Sequence, residues 1–73
     1  MERILRYSLD HRRPIRLIFQ REGKLQQRNV QVLVLEKDRV RLASRRPREE
    51  WEMDLADILG ADYARGDEGQ SEA

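Results

Sequence analysis

Seventy-three residues without a cysteine make one small domain with neither a disulfide nor a thiolate metal site. The longest apolar run, Val32–Leu35, has four residues, so neither an export signal nor a membrane span is expected and a cytoplasmic location is. Charge is sorted along the chain: residues 1–48 carry 14 Lys+Arg against 5 Asp+Glu, a balance of +9, and residues 49–73 carry 1 Arg against 9 acids, a balance of −8. Two opposed blocks must either neutralise each other in the fold or leave a basic face for a partner.

In chain order, residues 1–11 predict a short helix, with Ile4, Leu5 and Ser8 on one face and Met1 and Leu9 at its edges. Pro14 ends it, because the residue before a proline is driven toward extended geometry. The period then becomes two. Ile15, Leu17 and Phe19 face one way and Arg16 the other, as in a half-buried strand. A turn at Arg21-Glu22-Gly23-Lys24 follows, with Gly23 free to take positive φ. A longer strand over residues 25–36 places Val30, Val32 and Val34 on one face. Leu33 and Leu35 lie on the other, so this strand is expected to be bent or covered on both sides. Lys37-Asp38 turns into a third strand, residues 39–44, with Val40 and Leu42 inward. Arg45-Arg46-Pro47-Arg48 reads as a charged loop, and residues 50–55 as a fourth strand with Trp51, Met53 and Leu55 inward. Ile58 and Leu59 seat a last turn or fifth strand. The remainder, residues 61–73, is expected to be a disordered acidic tail.

A helix and four or five short strands joined by tight turns predict a mainly β fold: a small, partly open barrel of antiparallel strands with an N-terminal helix, over residues 1–60. The order of these segments resembles the Sm-like form of the SH3-type barrel in small bacterial proteins. It is most similar to the WYL domain of bacterial transcriptional regulators. Arg13-Pro14-Ile15-Arg16 matches that family's opening strand, Arg28-Asn29-Val30 its Arg-x-Val, and Leu55-Ala56-Asp57-Ile58 its closing Leu-x-x-Ile. Val40-Arg41-Leu42 stands where the family carries its Trp-Tyr-Leu triplet and keeps only Leu42. The resemblance implies a regulatory or adaptor module.

Little in the sequence points to catalysis. His11 sits at a helix end beside Arg12 and Arg13, as a solvated C-terminal cation would. It has no second His and no Cys for a metal site. Ser8, Ser44 and Ser71 have no nucleophile-elbow context, and Asp54 with Asp57 is a common spacing. No enzyme, no metal, no cofactor and no small-molecule substrate are expected.

The charge blocks admit one specific pairing. If the third and fourth strands form a hairpin with Ala43 opposite Glu50, then Leu42 meets Trp51 and Val40 meets Met53. On the other face Arg41 meets Glu52 and Arg39 meets Asp54. A slip of one residue would set Arg against Trp or Met. Trp51, the largest side chain, is expected at the centre of the core. This pairing leaves Arg12, Arg13, Arg16, Arg45, Arg46 and Arg48 without partners. Converging, they would make a patch for weak, salt-sensitive nucleic-acid contact. The alternative is protein binding or self-assembly, most simply a homodimer, through a strand edge and the apolar residues Leu33 and Leu35.

Overall fold

The computed structural model describes residues 1–67. Helix α1 (Glu2–His11) precedes strands β1 (Ile15–Arg21), β2 (Lys24–Leu35), β3 (Arg39–Arg45), β4 (Arg48–Asp54) and β5 (Ile58–Tyr63), with a 3-10 turn, Leu55–Asp57, before β5. The strands form one antiparallel sheet in the order β4-β3-β2-β1-β5. The fold is mainly β with an N-terminal helix, as its periodicities predict. β4 and β5 are the two edges of the sheet, which is therefore open and not closed into a barrel. No helix among the described residues is long and apolar enough to cross a membrane.

One hydroxyl joins the helix to the sheet. Helix α1 ends at Arg12 in the left-handed region (φ 54°, ψ 44°), where the Arg12 N–H donates to the Ser8 carbonyl. The Arg13 N–H donates to the same carbonyl at 3.3 Å. This sharp exit lets Ser8 Oγ donate to the Arg13 carbonyl at 2.6 Å and accept from the Val32 N–H at 2.9 Å. The β1–β2 pairing ends at Ile15↔Val30, so the Val32 N–H lies beyond the reach of β1. Ser8, fully buried, supplies the missing acceptor, and Leu5 of the same helix enters the core with it.

The core is a single layer of side chains between α1 and the inner face of the sheet: Leu5, Ile15, Leu17, Phe19, Val30, Val32, Val40 and Leu42 are all buried. The first hairpin closes through Glu22 (φ 54°) and Gly23 (φ 76°), with Arg21↔Lys24 as its last pair. Positive φ at both loop residues is the geometry that matches the twist of the flanking strands.

Four expectations are corrected. The β2–β3 register shifts between Val32 and Val34, so one extra residue, Leu33, reverses the alternation beyond it. Val34 is therefore 46% exposed instead of inward, and Leu35 packs against the core. Leu33 is half-buried, and no exposed Leu33/Leu35 row forms for a partner to cover. Leu55 leaves β4 for the 3-10 turn, tied by its N–H to the Asp38 carbonyl at 2.9 Å. Arg45 and Arg48 pair as the last rung of the β3–β4 hairpin, so its turn is only Arg46-Pro47, joined by a cis peptide bond.

The fourth correction concerns the chain's end. Residues 61–63 belong to β5, not to a tail, with Tyr63 paired to Ile15 and Ala61 to Leu17. Tyr7 packs edge-on against Tyr63 at 5.2 Å, and its hydroxyl donates to the Asp67 carboxylate at 2.9 Å. Burial, aided by the bond to Asp67, raises the Tyr7 pKa above its ordinary value. The rest of the expected tail, residues 68–73, lies outside the described residues.

Ser8→Ala should destabilise the domain by about 1–3 kcal/mol, because it leaves a buried N–H and a carbonyl without their partner. Thermal or urea unfolding measures this directly. A Ser8→Ala protein as stable as the parent would show that the helix is held by its other contacts, the packing of Leu5 and Tyr7 among them.

Candidate functional site: an arginine-lined groove

The β3–β4 register is the predicted one, pair for pair: Arg39↔Asp54, Val40↔Met53, Arg41↔Glu52, Leu42↔Trp51 and Ala43↔Glu50. On the outer face Arg39 meets Asp54 at 2.7 Å and Glu52 at 3.6 Å, while Arg41 meets Glu50 at 3.1 Å and Glu52 at 3.6 Å. These are exposed pairs, each contributing about 0.2–1 kcal/mol. Their chief effect is to consume charge: two cations and three acids leave the inventory available to a partner.

The six remaining arginines do not all converge. Arg16 reaches across the β1–β5 pair to Asp62 at 3.3 Å and is neutralised there. Arg13 is half-buried beside α1, its carbonyl held by Ser8. Arg48 lies with Arg45 along a depression that also contains Glu49 and Glu50. Arg12, Arg45 and Arg46 come together. They flank a groove of about 500 Å³ on the outer face of β2, with Arg12 and Pro14 on one bank and Arg45 and Arg46 on the other. Gln27, Arg28, Asn29, Val30, Gln31 and Ala43 lie between them, and among the described residues no Asp or Glu lines the groove. None of Arg12, Arg45 and Arg46 is in an ion pair among the described residues. The αL turn at Arg12 and the two-residue turn at Arg46-Pro47 set the two banks.

A second cluster, which the sequence reading missed, lies at the other face. Glu49 accepts from Arg21 at 2.6 Å and from Arg28 at 2.7 Å. The two guanidinium carbons stand 4.8 and 5.3 Å from the centre of the Trp51 ring, within cation–π range. Trp51 stacks obliquely on Phe19 at 5.7 Å. It is thus buried, but capped by arginines at the rim of the core instead of lying at its centre; Phe19, Leu17 and Leu42 hold the middle. Its Nε1 is buried with no hydrogen-bond partner among the described residues. Strand parity carries the missing signal. With Leu42 and Trp51 inward, the next inward pair is Ser44 and Glu49, and Leu17 inward places Arg28 inward beside it.

Hydrogen bonds from Arg21 and then Arg28 hold the Glu49 carboxyl at about 2, below its ordinary 4.5. A depressed pKa means that this group stabilises the fold above about pH 4.5 and loses that contribution as pH falls toward 2. The stability gap between the parent and Glu49→Gln should therefore narrow between pH 4.5 and pH 2, read by thermal melts across that range. A gap that stays constant would contradict the ion-paired geometry.

His11 lies 5.0 Å from the Tyr7 ring on α1, away from the groove's lining. Among the described residues no group of three or more His, Cys, Asp or Glu is placed to hold a metal ion. Comparison with protein-family models, with curated proteins and with solved structures gives no match, so what this chain does must be argued from its own residues.

Proposed function

We propose that this chain is a small, non-enzymatic binding module of regulatory or adaptor type that contacts the phosphates of nucleic acid through Arg12, Arg45 and Arg46. The observation that carries this reading is the groove itself, lined by three arginines that form no ion pair among the described residues and, among those residues, by no Asp or Glu. Arginine suits the task because its planar fork binds phosphate oxygens in pairs and stays charged at any physiological pH. The neighbouring Arg48 extends the basic surface, whereas Arg16 is withdrawn from it by Asp62 and Arg13 lies beside the helix.

Selectivity for sequence would be low. Phe19 and Trp51 are in the core and Tyr7 faces Tyr63, so no aromatic ring lies along the groove to stack on a base. Binding dominated by phosphate contacts falls steeply with salt, by a slope of about −0.9 in log–log terms per neutralised phosphate of duplex DNA.

Fluorescence anisotropy with labelled RNA and DNA tests this. The triple variant Arg12→Ala, Arg45→Ala, Arg46→Ala should bind at least about tenfold more weakly and show a shallower salt slope. A control that removes the same charge elsewhere, Arg3→Ala, Lys24→Ala, Lys37→Ala, should keep most of the affinity. Equal losses in both variants, or none in the first, would refute the groove as the contact site.

A further inference from the structure

The two open edges of the sheet are not alike. On β4 the outer-facing residues are Arg48, Glu50, Glu52 and Asp54, all exposed. Pairing β4 with its own copy about a two-fold axis sets residue i against a constant minus i, and the faces match only when that constant is even. Constants of 100, 102, 104 and 106 respectively oppose Glu50 to Glu50, Glu50 to Glu52, Glu52 to Glu52 and Glu52 to Asp54. Every substantial overlap thus sets at least one acid against another, offset at constants of 100 and 102 by Arg48 opposite Glu52 or Asp54, and such a row of charge is how natural edge strands are protected from pairing.

The β5 edge has no such guard. Its one charge, Asp62, is already bonded to Arg16 at 3.3 Å. Leu59 is 58% exposed, and Ile18, which pairs with Gly60 across the β1–β5 ladder, is 39% exposed. Gly60 borders the register shift of the β1–β5 ladder, a usual place for a strand glycine, and it also leaves the strand open on its far side. It is not among the positive-φ glycines, and a Cβ added there would meet nothing within 4 Å. A glycine in a strand costs stability relative to a residue with a side chain, and one common reason for it is the close approach of another backbone.

We propose that β5 pairs antiparallel with β5 of a second copy of this chain, about a two-fold axis at Ala61, joining the two sheets edge to edge. The register follows from the residues. An axis at Asp62 would oppose Asp62 to itself, and an axis at Gly60 would centre the pairing on the irregularity of the β1–β5 ladder between Gly60 and Ile58, which an axis at Ala61 meets only at its last residue, Leu59. An axis at Ala61 sets Asp62 opposite the bare Gly60 of the copy, leaving room for its bond to Arg16, and sets Leu59 opposite Tyr63. Joining β4 to β5 of the copy instead would bring Glu50, Glu52 and Asp54 against Leu59 and Asp62. A six-residue edge with two flanking aliphatic side chains is a small interface, so the dimer forms in the micromolar range.

Sedimentation of the full chain without nucleic acid, from micromolar to hundreds of micromolar, should show monomer passing to dimer. Leu59→Lys, at an exposed position, should raise the dissociation constant at least about tenfold while leaving the melting temperature nearly unchanged. Val34→Lys, the same change on β2, should leave it as it was. Ala61→Cys should cross-link to itself on mild oxidation, because directly paired residues lie within disulfide reach; Glu52→Cys on β4 should not. A monomer at every concentration, a larger assembly, unaltered dimerisation by Leu59→Lys, or cross-linking at Glu52→Cys but not at Ala61→Cys would each overturn the proposal. Nucleic-acid affinity is not read in any arm, so failure here leaves the arginine groove untouched, and failure there leaves this edge untouched.

Discussion

The register of the β3–β4 hairpin is the constraint on which the rest of this small structure depends. Its inner face sets Leu42 on Trp51 and Val40 on Met53, and its outer face sets Arg39 and Arg41 among Glu50, Glu52 and Asp54. No register shifted by one residue satisfies both faces. With it in place, Glu49 must point inward, where it meets Arg21 and Arg28. Arg45 and Arg46 must then stand at the hairpin's turn, in an ion pair with none of those acids. One choice of pairing therefore decides which arginines are neutralised and which are left for a ligand.

The remaining architecture compensates for a thin core. A sheet with one apolar face needs cover, and α1 supplies it through Leu5, with Ser8 tying the helix to β2 by one hydrogen bond and to the Arg13 carbonyl by another. Where the aliphatic layer ends, the Trp51 ring is roofed by two guanidiniums that a single carboxylate holds in place. Arginine stems can cover apolar surface while their heads remain solvated or paired. A chain that is 40% charged can thus finish its core with charged residues.

What was legible in the sequence follows the same physics. Strand alternation and the hairpin register could be read because each had two faces to satisfy, one apolar and one charged. The phase of β2 beyond Val32 could not, since a single extra residue leaves no mark in the Val-Leu-Val-Leu run yet reverses inside and outside. Only strand parity marks Arg28 and Glu49 as inward, against the usual rule that charge lies outside. The part of residues 61–73 that proves ordered was hidden for another reason: its anchor, Tyr7, lies in a different element, sixty residues from Asp67. Of the six arginines singled out, Arg12, Arg45 and Arg46 share the groove. That Arg16 would be taken by Asp62 depended on β5 pairing with β1, which local patterns do not specify.

The division of arginines between internal neutralisation and external contact is the account's central claim. Guanidinium NMR of the 15N-labelled chain, titrated with a short single-stranded oligonucleotide at low salt, reads it residue by residue. The Nε–Hε signals of Arg12, Arg45 and Arg46 should move together with added ligand, while those of Arg39, Arg41, Arg21 and Arg28 stay in place. Shifts led by Arg39 and Arg41, or a uniform drift of all thirteen arginines, would contradict it.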